Sequence, residues 1–156
     1  MSIKEEVDRL KRIPLFANVD PTKLKLLAFA SERLTYPPST ELFHQGDVAD
    51  AAYLIIEGSV DVLIERPDGQ LPVAKIGADE LVGDIGILCD VARTATVRSE
   101  GEVVALKITK ELFFQMLSDF PTMGIEVMRE LAMRLNQTNN QLSACRDRVR
   151  QLEATH

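Results

Sequence analysis

Apolar residues return at helical intervals near both ends of the chain and at strand intervals in its middle. Ile3, Val7 and Leu10 follow spacings of four and three, which predicts an amphipathic helix. Ile13-Pro14-Leu15-Phe16 ends it, because proline disfavours helix at the residue before it. Asp20-Pro21 has the chemistry of an N-cap and first helical position. It predicts a second helix to about Arg33, with Leu24, Leu27 and Ala28 facing inward. Over residues 34–108 the period changes. Short apolar runs at 41–43, 53–56, 60–64, 71–76 and 103–108 alternate with turn-forming stretches. Those stretches are Tyr36-Pro37-Pro38-Ser39, Gln45-Gly46-Asp47, Glu57-Gly58-Ser59, Pro67-Asp68-Gly69 and Gly77-Ala78-Asp79. Val60, Val62 and Ile64 alternate with Asp61, Leu63 and Glu65, the pattern of a half-buried antiparallel strand. Strands this short, at this spacing, predict a sandwich or barrel.

Residues 109–152 turn helical again. Thr109 caps a short helix through Leu117, and Phe120-Pro121 opens another. Met128, Leu131, Leu135, Thr138, Leu142, Cys145, Val149 and Leu152 then alternate spacings of three and four, a heptad seam. A helix carrying it is roughly 35 to 45 Å long at 1.5 Å per residue and overhangs a domain of this size. The seam therefore predicts a partner helix, parallel or antiparallel, with a homodimer as the default symmetry. The competing arrangement packs the helix on its own β domain. Thr138, the polar residue in mid-seam, either sets register or offers its hydroxyl to a ligand. The chain thus divides into a β domain with N-terminal helices (1–120) and a long C-terminal helix (121–156).

Composition narrows the function. The chain has 156 residues, 46% hydrophobic and 27% charged, the balance of a globular protein with a real core. No apolar run approaches the roughly 20 residues of a membrane helix, and the N-terminus lacks a signal-peptide core. A cytoplasmic protein without membrane attachment is the expectation. A net charge of −6 argues against direct nucleic-acid binding and mildly repels phosphate, so an anion site must be local and rich in donors. Cys89 and Cys145 share no metal-ligand spacing and read as free thiols. No Ser/His/Asp set, clustered histidines or helically spaced carboxylate pair stands out. His44 lies in a turn without a matching partner, and His156 is terminal. The expectation is a non-enzyme with no metal and no catalytic cofactor.

Residues 81–97 carry the chemistry. Two glycines flank an acid, and an arginine followed by a hydroxyl residue comes shortly after. Glycines let backbone N–H groups approach an anion. Arginine offers two parallel charged donors to phosphate oxygens, and the acid can accept from sugar hydroxyls.

Taken in order, these residues resemble the cyclic nucleotide-binding domain family of catabolite activator proteins, kinase regulatory subunits and gated channels. Ile13-Pro14-Leu15-Phe16 resembles its opening motif. Phe43-His44-Gln45-Gly46-Asp47, with Tyr53-Leu54-Ile55-Ile56-Glu57-Gly58, resembles its first glycine signature. Gly83-Asp84-Ile85-Gly86-Ile87-Leu88 running into Arg93-Thr94-Ala95 resembles its phosphate-binding cassette. The resemblance covers nearly the whole chain. It implies a mainly β fold with flanking helices (α+β). An antiparallel β-roll, jelly-roll or double-stranded β-helix would follow N-terminal helices and precede a long C-terminal dimerisation helix. It further implies a cyclic nucleotide held between cassette and helix. Val82, Gly83, Asp84, Ile85 and Gly86 would line the sugar, and Arg93 would pair with the cyclic phosphate. Thr94 and Ala95 would lie beside phosphate or base. Thr138 and Asn139 sit where activator-family helices reach the base, and Arg134 could reach the cassette acid. From the residues alone, Asp84 is also a turn former, Thr94 a strand start and Arg134 a solvated helix charge.

Two departures matter. The family usually has glutamate after the cassette glycine, and Asp84 withdraws the carboxylate by one methylene, about 1.5 Å. Weaker binding is expected. Ala92 stands where proline usually precedes the arginine, which removes rigidity but no contact. The reading is a cyclic nucleotide sensor, favouring cyclic AMP over cyclic GMP. Too few residues follow the long helix for a helix-turn-helix, so the expectation is that output passes through that helix to a downstream protein partner. The alternative is a dimeric interaction protein whose nucleotide binding is weakened or lost. Asp84 favours it, and an unpaired arginine beside a cavity speaks against it.

Overall fold

The computed structural model describes residues 3–13, 16–17 and 19–154. Pro14 and Leu15 of the opening motif, and His156, lie outside them. The elements are α1 (Ile3–Lys11), α2 (Pro21–Ala30), β1 (Glu32–Tyr36), β2 (Glu41–Phe43), β3 (Ala51–Arg66) and β4 (Gly69–Ile76). They continue with β5 (Leu81–Val82), α3 (Asp84–Leu88), β6 (Thr96–Thr109), α4 (Lys110–Asp119) and α5 (Pro121–Ala154). The strands form one antiparallel six-stranded sheet in the order β1-β6-β3-β4, with β2 paired to β6 and β5 to β3. This is the α+β architecture expected, with helices at both ends of the chain and a long last helix.

The sheet curls so that β3 and β6 bury both faces, which explains their unbroken apolar runs. Ala52, Leu54 and Ile56 join Leu106 and Ile108 in a core shared with Leu10, Leu24, Leu27, Phe113 and Met123 of the helices. The alternate residues Ala51, Tyr53 and Ile55 face into the roll, against Leu42, Val82, Val97, Val103 and Ala105. Burying one aliphatic side chain contributes about 1.5–3 kcal/mol, so this two-sided packing makes the strand pair the backbone of the domain.

Three sequence expectations change. Residues 53–56 and 60–64 are one strand: its pairing with β6 shifts register on either side of Glu57, and Gly58 sits at φ +86°. A Cβ on Gly58 would stand 2.4 Å from the Glu102 carbonyl oxygen. The presumed turn is therefore a bulge, a glycine signal that sequence alone does not separate from a hairpin. The second helix ends at Ala30 rather than near Arg33. Ser31 is extended and caps Leu27 with its amide and hydroxyl, and residues 32–36 pair with β6. Tertiary pairing overrides the helical pattern there. Third, the apolar turn within 81–97 contains a full helical turn, α3, entered through Gly83 in the left-handed region.

The caps behave as the sequence indicates. Asp20 accepts from the Thr22 amide at 2.8 Å, and the Thr109 hydroxyl accepts from the Leu112 amide at 3.3 Å. Helix α5 runs 34 residues, about 50 Å at 1.5 Å per residue. Its first turns bury Met123 and Val127 in the helix-side core, with Leu131 packed against it. From Leu135 onward every described residue is exposed, including Leu135, Leu142, Cys145, Val149 and Leu152 of the heptad seam.

Replacing Gly58 by alanine should lower the unfolding free energy by more than about 2 kcal/mol, since left-handed strain and a backbone collision add. Gly101→Ala, at φ +73° with nothing within 4 Å of the new methyl, should cost only about 1 kcal/mol. Urea unfolding of both variants checks the ranking. Equal losses would show that Gly58 is not a bulge residue.

Candidate functional site

Gly83, at φ +83°, turns the chain from β5 into α3, and the segment 84–95 folds back over the open side of the roll. Val82, Gly83, Asp84, Ile85, Gly86, Arg93, Thr94, Ala95 and Arg134 surround one cavity of about 90 Å³. Phe43, Val62, Ile76 and Val97 complete its wall. These four escape a motif-based reading because they are apolar residues on four separate strands. Their signal is inward alternation, which Val62 and Val97 share as directly paired neighbours.

Arg93 is 3% exposed. Its Nη1 donates to the Gly83 carbonyl at 2.8 Å and its Nη2 to the Ala51 carbonyl at 2.6 Å. The guanidinium lies 4.0 Å above the Phe43 ring centroid and 3.6 Å from an Asp50 carboxylate oxygen. Nε has no hydrogen-bond partner among the described residues. Burial pulls the Arg93 pKa down, opposed by Tyr53, Asp50 and Asp47. The side chain is thus not unpaired, contrary to the sequence argument. It ties the cassette to β3 and stacks on the residue after the β2 core position. The glycines follow from this: a Cβ on Gly83 would meet Arg93 Nη1 at 2.7 Å, and one on Gly86 would meet the Ala49 Cβ at 2.6 Å. Close approach, rather than an open anion nest, is what glycine supplies in this state.

Asp84 is 3% exposed at the start of α3. Burial raises its carboxyl pKa, opposed first by the Arg134 charge and then by amide donors at Asp84 and Ile85. Arg134 reaches it from α5, with Nη1 at 3.5 Å from Oδ1, so the ion pair is formed at the long end of hydrogen-bond range. The same guanidinium donates through Nη2 to the Leu81 carbonyl at 2.6 Å and to Glu130 at 2.9 Å. Arg134 is therefore a strut between the long helix and the cassette rather than a solvated charge. Thr94 is exposed at the cavity rim and Ala95 is buried beneath it.

Thr138 and Asn139 are not brought to the cavity. Both are exposed, and the Thr138 hydroxyl donates to the Arg134 carbonyl of its own helix at 2.9 Å. Beyond Arg134 the helix has left the roll, so its next turn has no ligand wall to face. His44 is not partnerless: its Nδ1 lies 3.1 Å from Glu41 and 3.9 Å from Glu65.

A family model for the cyclic nucleotide-binding domain matches residues 33–120. An uncharacterised NTE family protein of Mycobacterium bovis is 31% identical over 140 residues, covering 90% of this chain and 24% of that protein. A CRP-like cAMP-activated global transcriptional regulator of Mycobacterium tuberculosis is 28% identical over 135 residues, covering 86% of this chain and 60% of the regulator. The chain thus spans about a quarter and three fifths of these relatives. The Thermus thermophilus catabolite activator protein superposes with a TM-score of 0.73 at 26% identity, over 83% of this chain and 62% of that one. No helix among the described residues is long and apolar enough to cross a membrane.

The raised Asp84 pKa has a stability consequence. A folded-state pKa above the unfolded value means that the native state binds the proton more tightly, so stability falls as pH rises through that window. Asp84→Asn removes this dependence. The stability of the native protein relative to the variant should therefore increase as pH drops from neutral toward the ordinary aspartate range. Urea unfolding across a pH series reads the difference. A difference that decreases on acidification would show that Arg134, not burial, dominates at Asp84.

Proposed function

The chain belongs to the cyclic nucleotide-binding domain family, and on that premise we propose that it binds a cyclic nucleotide in the cavity around Arg93 and passes the signal through α5. The observation that carries the reading is the convergence of a buried arginine, two close-packed glycines and a buried acid on one cavity under a helix strut. Arg93 takes the cyclic phosphate, with its fork exchanging the Gly83 and Ala51 carbonyls for phosphate oxygens. Asp84 accepts from the ribose, and Thr94 at the rim lies beside phosphate or base. Cyclic AMP is favoured over cyclic GMP, in line with the cAMP-activated relative.

The geometry also sets the cost. A cavity of about 90 Å³ is well below the roughly 300–1,000 Å³ of ligand pockets. Binding therefore requires the cassette to lift and Arg93 to exchange partners. Arg134 couples that movement to α5, because it holds Leu81 and Asp84 at once. A ribose hydroxyl that takes Asp84 loosens the strut and shifts the population of helix positions. Thr138 and Asn139 contact the base only in such a rearranged state. The exposed seam beyond Leu135 then pairs with the same seam of a second copy, and a downstream protein reads the dimer geometry.

A second reading is favoured by the internal pairing of Arg93: a dimeric interaction protein in which that arginine has become a structural tie.

Calorimetric titration with cyclic AMP and cyclic GMP separates the two. The sensor reading predicts saturable binding, weakened at least roughly 100-fold by Arg93→Ala, which removes a bidentate charged contact. Asp84→Glu should tighten binding about fivefold, the worth of one hydrogen bond of about 1 kcal/mol. No heat at millimolar ligand leaves the interaction-protein reading. For the dimer, Cys145 is the probe, because seam residues of a parallel pair meet their own copies. In a Cys89→Ser background, a short thiol cross-linker should give a covalent dimer that Cys145→Ser abolishes. A monomer by sedimentation, with no cross-linked product, would overturn the dimer.

A further inference from the structure

On the β2–β3 side of the roll, Glu65 meets two residues far from it in sequence, and the three bring ligand atoms together. Glu41 lies in β2, His44 in the following turn and Glu65 near the end of β3. One donor atom from each lies within 4.8 Å of the others. The His44 Nδ1 stands 3.1 and 3.2 Å from the two Glu41 oxygens and 3.9 Å from Glu65 Oε1. Two ligands bound at 2.0–2.2 Å in a tetrahedral shell lie about 3.4 Å apart. The imidazole–carboxylate separations bracket that value.

Charge and support point the same way. Two carboxylates face one imidazole nitrogen, which as a neutral ring donates at most one hydrogen bond. The cluster carries an excess of negative charge and of acceptor atoms. The neighbouring cation, Arg98, donates to Gln70 Oε1 at 3.0 Å. Two of the three, His44 and Glu65, are also held from behind. The His44 amide donates to Asp47 Oδ2 at 3.0 Å and the Glu65 amide to Gln45 Oε1 at 2.9 Å. Glu65 Oε1 further accepts from the fully buried Thr96 hydroxyl at 3.0 Å and from Gln70 Nε2 at 2.7 Å. The amide bonds fix the backbone at His44 and Glu65, and the Thr96 and Gln70 bonds orient the Glu65 carboxylate before a metal arrives.

We propose that Glu41, His44 and Glu65 bind a divalent transition-metal ion of the zinc class, with solvent in the remaining coordination position. One nitrogen and two carboxylate oxygens suit zinc or cobalt better than magnesium or calcium, which prefer all-oxygen shells. The ion clamps the β2 turn to the end of β3. That turn is stitched to the cassette, because the Gly46 amide donates to the Arg93 carbonyl and the Arg93 amide to the Asp47 carbonyl, at 2.9 and 2.8 Å. The clamp is separate from the nucleotide cavity and is tested without nucleotide.

The test titrates the metal-free full chain with Zn²⁺ by calorimetry and with Co²⁺ by visible absorption. A Cys89→Ser/Cys145→Ser background excludes thiol binding. One equivalent should bind, with a ligand-field band for Co²⁺ and a rise in melting temperature on adding Zn²⁺. His44→Ala should weaken binding at least roughly tenfold, and so should Glu65→Gln, which keeps the side-chain shape. Circular dichroism confirms that both variants remain folded. Binding that is absent, that survives both substitutions unchanged, or that is equally strong for Mg²⁺ or Ca²⁺ would overturn the assignment.

Discussion

The cassette holds its shape because the Arg93 guanidinium is buried against two main-chain carbonyls and a phenyl ring. Burying a charge is costly unless hydrogen bonds replace water. Gly83 and Ala51 supply the acceptors, and Phe43 covers the face that no acceptor reaches. One side chain thereby joins the β5–α3 turn, the start of β3 and the end of β2. Glycine at 83 and 86 follows from the same constraint, since a larger residue would collide with the guanidinium or with Ala49. A cyclic phosphate at this site, as proposed, would compete with the protein's own backbone for one fork of donors, so that ligand binding and loop geometry would form a single equilibrium.

That equilibrium is anchored on one side and loose on the other. The anchor is the β3–β6 pair, whose alternate residues fill two separate cores. Little movement is available there without exposing one of them. The loose side is α5. Its first turns share the helix-side core through Met123 and Val127, Arg134 props the cassette, and the remainder stands in solvent. A lever fixed at one end and free over the rest can convert a small shift at Leu81 and Asp84 into a large displacement at its tip. The proposed seam contact lies on that tip, where the described residues of the apolar stripe are exposed.

Much of the fold was legible along the chain, because helix caps, proline breaks and the change from helical to strand period are local. Asp20, Thr109 and Pro121 mark helix starts by their own chemistry. Along the chain Gly58 reads as a turn, since positive φ is all that a glycine signals, and only the neighbouring strand reveals a bulge. Residues 31–33 continue the helical pattern because their strand pairing with β6 lies far away in sequence. The candidate site divides similarly. Its nine residues around the cavity include eight from one short stretch, where spacing alone brings them together. Thr138 and Asn139 depended on how the long helix leaves the roll, which no periodicity encodes.

By itself the amino-acid sequence determined the class of fold, the helix starts and the family motifs in their order, since each rests on contacts a few residues apart or on motif order. Tertiary structure decided what those residues do to one another. It turned Arg93 inward onto carbonyls, set Asp84 against Arg134 and gave His44 two carboxylate neighbours from different strands. Such meetings depend on strand register and on the curl of the sheet. Both are set by two-sided burial of β3 and β6, a property of the packed chain rather than of any segment of it.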